Sequence, residues 1–141
     1  MALQDIVDRL LEELDASRIT LRLDTPGEIF PVRYEALAPG IRSIKGDTSV
    51  GDLREAKTFQ WVERERRLLV QDDTLDADPP VPPALVDVYG ARAQMLAPVE
   101  REGRLVGIVS VHYAPGPREW TPEDRAVLER ARAGVERELA G

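Results

Sequence analysis

The segment from Arg92 to Leu139 constrains the fold more than any other part of this chain. Two apolar runs, 95–99 and 106–110, flank Glu102-Gly103, a pair suited to a tight turn in which the backbone adopts positive φ. A loop rich in proline and glycine follows, and Thr121-Pro122-Glu123-Asp124 then has the capping residue, proline and acids that begin a helix. The segment predicts a β-hairpin followed by an amphipathic helix with a buried stripe of Leu128, Ala131, Val135 and Leu139.

The register of this hairpin is left open by the sequence. Its first strand has one face made of Met95, Ala97 and Val99. This set lies opposite either residues 106, 108 and 110 or the alternate positions of the second strand, and the two registers place different side chains together.

The first third of the chain predicts one helix and two strands. Apolar residues recur at helical spacing across Leu3–Leu14, with charged residues between them. Residues Ala16–Asp24 alternate, which indicates a strand with one buried face made of Ile19, Leu21 and Leu23. After a turn at 25–28, a second strand is expected over Phe30–Leu37, with one face made of Val32, Tyr34 and Ala36.

The middle of the chain has weaker patterns. We predict an irregular loop, a helix, a short strand, an acidic proline-rich loop and a short helix, over 38–51, 52–66, 68–71, 72–83 and 83–89 respectively. The acidic loop lacks the glycine and the distal glutamate of an EF-hand loop, and Gly46 and Gly51 are not followed by the lysine of a P-loop. We therefore expect neither a calcium site nor a phosphate site in these segments.

The composition narrows the class of protein. A length of 141 residues suits one domain, and a hydrophobic fraction of 43% is enough for a core. The chain has no cysteine, which excludes disulfides, thiolate metal sites and thiol catalysis within it. A net charge of −7, with arginines interspersed among acids, argues against nucleic acid as a partner. We find neither a signal peptide nor an apolar run long enough to span a membrane, so we expect a cytoplasmic protein.

Four segments, in order, resemble those of the GAF domain family. Arg67–Asp73 looks like its middle strand ending in an acid, and Met95–Val99 like its apolar strand carrying a proline. Gly103–Val111 resembles its glycine-bounded apolar strand, and Trp120–Asp124 resembles its helix entry. The predicted order of helices and strands is also similar to that family over nearly the whole chain. The resemblance implies an α+β, PAS-related fold: an antiparallel sheet with the N- and C-terminal helices on one face and connecting helices and loops covering a ligand pocket on the other.

This implied pocket gives a list of candidate site residues. The polar faces of the first and last strands belong on the pocket side, and the large residues Tyr34, Trp61 and Met95 are candidates for its walls, as are Phe59 and Tyr89. The ligand-binding candidates are thus Arg18, Thr20, Arg22, Tyr34, Trp61, Met95, Ser110 and His112. No metal ligands and no catalytic residues are assigned.

Each candidate also has a structural interpretation. The arginines are either an anion clamp or exposed strand residues paired with Glu35 and its neighbours. His112, the only histidine, is either a ligand contact or a partly exposed residue at a strand end. The large residues are explained equally well by core packing.

The resemblance implies a sensor that binds a small molecule, and the sequence removes its specialised subclasses. Methionine-sulfoxide reductases and bilin-attaching members need cysteine, and cyclic-nucleotide-binding members carry a motif that begins with asparagine, a residue this chain lacks. We expect a non-covalent ligand and no enzyme activity, with the signal passing through a homodimer of terminal helices or to a separate partner. The ligand and any cofactor stay unnamed. The alternatives are a dimerisation scaffold with a vestigial pocket, joined by Leu3–Leu14 and Leu128–Leu139, and a small enzyme subunit using His112 with Arg22.

Overall fold

The computed structural model describes residues 2–141, and its architecture is α+β as expected. The helices are α1 (Leu3–Leu14), α2 (Lys57–Glu65), α3 (Pro83–Asp87) and α4 (Pro122–Ala140). The strands are β1 (Arg18–Leu23), β2 (Val32–Leu37), β3 (Leu69–Gln71), β4 (Ala93–Arg101) and β5 (Arg104–Tyr113). They form a five-stranded antiparallel sheet in the order β2-β1-β5-β4-β3.

One side of the sheet, here called the helix face, packs against α1 and α4. Alternate residues of the three central strands point toward these helices and are apolar, so they join the helices' buried stripes in one core. The strand members of this core are Ile19, Leu21, Met95, Ala97, Val99, Val109 and Val111. The predicted placement of the terminal helices on one face is confirmed.

The local signals at the end of the chain act as predicted. Glu102 and Gly103 have φ of 53° and 77°, so the hairpin turn uses the left-handed conformation that its glycine favours. Thr121 accepts a hydrogen bond from the Asp124 backbone N–H at 3.0 Å, and the Asp124 carboxylate accepts one from the Thr121 N–H, which completes a capping box. In the predicted stripe of α4, Leu128 and Val135 are fully buried, whereas Ala131 and Leu139 are partly buried.

The predicted second strand needs two corrections. It begins at Val32 rather than Phe30, because Phe30 has φ of 46° and cannot continue a strand. Leu21 pairs with Tyr34 and Arg22 pairs with Val32, so the register shifts and one residue is skipped. Because of this bulge, Val32 joins the side opposite to Tyr34.

Other predicted bounds also change. The helix expected over 52–66 is a single 3-10 turn at Leu53–Glu55 followed by α2, because Ala56 between them is extended. The helix expected over 83–89 ends at Asp87, and the acidic loop contains a 3-10 turn at Thr74–Asp76. In the hairpin, Met95 pairs with Val111 and Ala97 with Val109. Of the two registers left open by the sequence, the structure therefore has the one that places this face opposite residues 107, 109 and 111.

The longest helix is α4, with 19 residues and charged side chains along its length. Within residues 2–141 no helix combines the length and the apolar character needed to cross a membrane.

Candidate functional site

The other side of the sheet, here called the pocket face, carries buried polar residues. Thr20 in β1 pairs directly with Ser110 in β5, and Arg18 pairs with His112, which in turn pairs with Gln94 in β4. The five side chains are between 1% and 5% exposed. Polar groups buried to this degree are uncommon unless they are hydrogen-bonded or have a function.

A pocket lies between this face and the segments that cover it. Its volume is about 50 Å³, and it reaches α2, α3 and the loop before α2. Its apolar wall includes Phe59, Leu85, Leu96 and Ile108, and its polar lining consists of Thr20, Arg22, Thr58, Tyr89, Gln94, Ser110 and His112. A cavity of this size holds roughly three to five water molecules, and it is well below the typical size of a pocket for a drug-sized ligand.

Arg18 is fixed behind His112 and does not line the pocket. Its Nη1 donates to the Tyr89 carbonyl oxygen at 3.0 Å, and its Nη2 donates to the Arg42 carbonyl oxygen at 2.7 Å. The same Nη1 lies 3.1 Å from His112 Nδ1. Arg18 therefore ties β1 to the covering loop and orients the imidazole.

The contact with Arg18 determines the protonation of His112. A guanidinium has only donors, so Nδ1 must accept and the proton of the neutral ring lies on Nε2. Burial, together with the charges of Arg18 and Arg22, lowers the pKa of His112 to about 3. At neutral pH the ring is uncharged, and Nε2–H is the hydrogen-bond donor left to it on the pocket side.

Arg22 is the cation in the lining of the pocket. Its Nη1 donates to the Phe30 carbonyl oxygen at 2.9 Å, and its guanidinium also interacts with the Tyr89 hydroxyl. Burial lowers the pKa of Arg22 from its ordinary value, as it does for Arg18, although arginine stays protonated. Among residues 2–141, no carboxylate lies within ion-pairing distance of either guanidinium. Neither arginine forms a close ion pair with Glu35, which accepts hydrogen bonds from Ser43 and the Ile44 N–H, although the charge of Glu35 still favours the protonated Arg18 from a greater distance.

The Thr20 hydroxyl is a buried polar group without a partner. Its Oγ1 has no hydrogen bond within the described part of the chain, although the residue is only 1% exposed. Leaving a buried hydroxyl unsatisfied costs about 1–3 kcal/mol. Because Thr20 lines the pocket, its hydroxyl is available to form a hydrogen bond there.

The cover of the pocket is held by polar contacts from the 38–51 loop. The Tyr89 hydroxyl donates to Asp47 Oδ1 at 3.2 Å, and Arg42 Nη2 donates to the Val88 carbonyl oxygen at 3.0 Å. Gly46, the residue before Asp47, has φ of 77°, which lets the loop turn there. Tyr89 is therefore shared between the pocket lining and the loop that closes it.

Comparison with known proteins identifies the fold family. The model of the GAF domain family matches residues 1–136. The chain belongs to this family. Among curated proteins, no sequence matches this GAF domain.

Solved structures with the same fold are similar in shape and distant in sequence. The blue-light absorbing form of the PixJ GAF domain from Thermosynechococcus elongatus has a TM-score of 0.71 and 21% identity, covering 96% of this chain and 85% of that one. A far-red cyanobacteriochrome photoreceptor has a TM-score of 0.75 and 12% identity, covering 98% and 84%. The chromophore-binding domain of a Stigmatella aurantiaca bacteriophytochrome has a TM-score of 0.75 and 15% identity, covering 99% of this chain and 53% of that one.

The fold brings together half of the candidates predicted from the sequence. Thr20, Arg22, Ser110 and His112 line the pocket, and His112 is 4% exposed rather than partly exposed at a strand end. Their common feature is an alternating position on β1 or β5. The prediction that Arg18 lines the pocket is wrong, because His112 lies between Arg18 and the pocket.

Three predicted wall residues lie elsewhere. Met95 and Tyr34 pack in the core of the helix face, because Met95 pairs with Val111 and Tyr34 pairs with Leu21, and both partners belong to that core. Trp61 lies toward the outer side of α2, where the Arg67 guanidinium stacks 4.8 Å from its ring centre. The prediction that these three residues form a pocket wall is therefore wrong, and the alternative interpretation, that they serve packing, is the correct one.

Gln94 and Thr58 line the pocket but were not among the predicted residues. Gln94 Nε2 donates to Gln71 Oε1 at 2.7 Å, and Gln71 Nε2 donates to the Pro79 carbonyl oxygen at 2.7 Å, so an amide chain links the pocket to the acidic loop. Strict alternation along β4 from Met95 would have placed Gln94 and Leu96 on the pocket face. No pattern in the sequence places Thr58 at the pocket, because its position depends on where α2 begins.

A second concavity lies between the terminal helices of the GAF domain. It has a volume of about 380 Å³ and an apolar floor made of Ile6, Leu10, Val127 and Ala131. Charged residues of both helices, including Arg9, line it as well. This groove faces away from the sheet and shares no residue with the pocket.

Proposed function

We propose that this GAF domain is a sensory module that binds a small molecule non-covalently in the pocket. The observation that carries the proposal is the buried, polar lining around an unpartnered Thr20 hydroxyl, on a sheet whose helix face packs apolar strand residues against α1 and α4. A domain with no use for this face would be more stable with apolar residues there.

The structural neighbours support ligand binding at the level of the family. They include a far-red cyanobacteriochrome photoreceptor and the chromophore-binding domain of a bacteriophytochrome. This chain has no cysteine for a thioether bond, and its pocket of about 50 Å³ suits a much smaller molecule. The ligand of this domain is therefore a compact molecule held by hydrogen bonds and charge.

The covering segments provide a route for the signal. Thr58 and Phe59 of α2 line the pocket, and Tyr89 connects it to the 38–51 loop through Asp47. A ligand that contacts these residues favours the closed arrangement over an open one by its difference in affinity for the two. Strands β1 and β5 carry residues of both faces, so a shift in these strands also reaches α1 and α4.

Binding is favoured over catalysis by the state of His112. A base with a pKa near 3 is almost always deprotonated at neutral pH, yet it is too weak to remove a proton efficiently. Its Nδ1 is also occupied by Arg18. We therefore propose that the domain is not an enzyme, and the cytoplasmic location stays a prediction.

The groove between α1 and α4 favours a second function, that of a dimerisation module. Its apolar floor is continuous with the core stripe of both helices, and helix pairs of two subunits pack readily around such a floor. Sedimentation of the protein with Ala131→Glu, compared with Arg33→Glu on the exposed side of β2, tests this function. A dimer that is lost only in the first variant supports it, and a monomeric wild type contradicts it.

The pocket is tested by a thermal-shift screen of the purified protein against small metabolites. A ligand that binds only the native state raises the melting temperature in a dose-dependent way. We expect Arg22→Ala and His112→Ala to abolish the shift and Arg33→Ala, at an exposed position, to keep it. A wild type that responds to none of the compounds contradicts the sensory proposal.

A further inference from the structure

The chemistry of the pocket lining indicates a class of ligand. The lining combines the Arg22 guanidinium with hydroxyl groups, an amide and the Nε2–H of a neutral imidazole. Within the described residues that line it there is no carboxylate. The pocket lining thus offers positive charge and hydrogen-bond donors without a carboxylate of its own, and the nearest negative group that acts on Arg22 is Asp47, behind the Tyr89 hydroxyl.

We propose that the pocket binds a small anion, a carboxylate or an inorganic oxoanion, through the Arg22 guanidinium and the Thr20 and Ser110 hydroxyls. This inference rests on the proposed function, since it names the ligand class of the same site. Arg22 and Thr20 are two residues apart on one strand face, about 7 Å along the strand, and Thr20 faces Ser110 directly across the sheet. One guanidinium and two hydroxyl donors are thereby placed around one small volume.

The electrostatic field at this place has the sign that the proposal needs. Besides burial, the charges of Arg18 and Arg22 lower the pKa of His112, as expected for a positive field from two guanidinium groups near the ring. A field that repels an added positive charge attracts a negative one, and low polarity around the site strengthens the effect. Arg18 is a positioning residue here, because it presents the Nε2–H of His112 as a donor without touching the ligand itself.

The size of the pocket limits the anion. Space for roughly three to five water molecules accommodates a carboxylate or oxoanion with few atoms, and excludes an organic phosphate unless the cover opens. An anion in this place also gives the Thr20 hydroxyl its missing acceptor. The size, the charge and the unpartnered hydroxyl point to the same class.

The structural alternative is that Arg22 serves only to hold the Phe30 carbonyl oxygen and the Tyr89 hydroxyl in place. Burying a charged guanidinium costs desolvation free energy, and hydrogen bonds to these two neutral groups compensate it only in part. The two roles differ in one consequence: a structural arginine has no effect on how the protein distinguishes an anion from a neutral molecule of the same shape.

The experiment compares acetate with acetamide, its neutral isostere, and with nitrate as an inorganic oxoanion. Each is titrated into the full chain at constant ionic strength set by sodium chloride, and chloride alone forms a fourth arm. Dissociation constants come from the dose dependence of the melting temperature. The variants are Arg22→Met and Arg22→Lys, with Arg33→Met as the control that removes an exposed arginine from the neighbouring strand.

We expect acetate or nitrate to bind and acetamide to bind much more weakly. Arg22→Met should weaken anion binding by about 10- to 100-fold, the loss expected for one charge-assisted hydrogen bond, and Arg33→Met should leave it unchanged. Acetate alone identifies a carboxylate, and nitrate alone an inorganic oxoanion. Should Arg22→Met fail to fold, a shift of the Arg22 Nε–H resonance of the wild type on titration gives the same answer.

Equal binding of acetamide and acetate overturns the anion assignment and leaves the sensory function standing, as does a response to neutral metabolites alone. Binding of anions that survives in Arg22→Met also overturns it, because the anion then lies elsewhere. If neither anions nor the wider metabolite panel affect the wild type, the sensory function fails together with the ligand class.

Discussion

Ile19 and Thr20 are neighbours in β1, and both are almost completely buried, yet they meet very different surroundings. Ile19 enters the apolar core under α1 and α4, where its neighbours are aliphatic side chains. Thr20 faces a pocket with arginine, histidine and hydroxyl groups, and its own hydroxyl has no partner there. The same strands therefore have a tightly packed apolar helix face and a pocket face with buried polar groups. Packing explains the first face, but it does not explain the unpartnered hydroxyl of the second.

The largest expected difference between the two sides is in their response to truncation on β4. Met95 and Leu96 are adjacent, and they point to the helix face and the pocket face respectively. We expect Met95→Ala to lower the free energy of unfolding by about 3–5 kcal/mol, because it leaves a dry cavity in the core. Leu96→Ala should lower it by about 2 kcal/mol, since its space joins the existing polar pocket and fills with water.

Urea unfolding of both variants measures this difference. Leu75→Ala, at a side chain that is 65% exposed, serves as the control and should change stability by less than about 0.5 kcal/mol. Equal losses for Met95→Ala and Leu96→Ala would mean that the pocket side is packed as tightly as the helix side.

The next effect concerns the pH dependence of stability. His112 has a pKa of about 3 in the folded protein and an ordinary value near 6.5 when unfolded, so the unfolded chain binds a proton first as the pH falls. The stability due to the neutral ring is complete above the unfolded pKa and decreases as the pH falls toward 3. We expect the wild type to lose about 2 kcal/mol between pH 8 and pH 5.

The variant His112→Asn isolates this contribution. Asparagine keeps an acceptor for Arg18 but does not titrate, and His112 is the single histidine of the chain. Ordinary carboxylates contribute little above pH 5. The variant should therefore have a nearly flat stability profile between pH 5 and pH 8, and a profile as steep as that of the wild type would show that the buried imidazole is not its source.

The smallest expected effect compares two buried threonines. Thr74 Oγ1 donates to the Ala91 carbonyl oxygen at 2.8 Å, whereas Thr20 Oγ1 has no partner in the described chain. Thr74→Val should lower stability by about 1–3 kcal/mol, and Thr20→Val should be neutral or stabilise the ligand-free protein by up to about 1 kcal/mol. Thermal unfolding of both variants in the absence of ligand measures this. A clear destabilisation by Thr20→Val would show that its hydroxyl is satisfied within the protein.

The parts of this fold that the sequence predicts are those fixed by local chemistry. The N-terminal cap of α4, the Glu102-Gly103 turn and the alternating faces of β1 and β5 depend on residues close together in the chain, and their predictions are confirmed. In the predicted stripe of α4, Leu128 and Val135 are fully buried. The same alternation correctly separated Thr20 and Ser110 from the helix face.

The errors have a common physical origin in contacts between distant segments. The pairing of β1 with β2 decides where Tyr34 points, and the hairpin register decides where Met95 points. Neither pairing follows from local propensity. That His112 stands between Arg18 and the pocket depends on the pairing of β1 with β5 and on the position of the 38–51 loop. Contacts between such distant segments cannot be predicted from a single sequence by local patterns.

The most direct test of the account is a methyl NMR spectrum of the protein with and without a ligand found by the thermal-shift screen. Methyl groups of Thr20, Thr58 and Ile108 report on the pocket face, and those of Ile19, Leu21 and Val109 report on the helix face of the same strands. The account predicts large shifts at the first set and small shifts at the second. Large shifts confined to Ile6, Leu10 and Val127, which line the groove between α1 and α4, would contradict it.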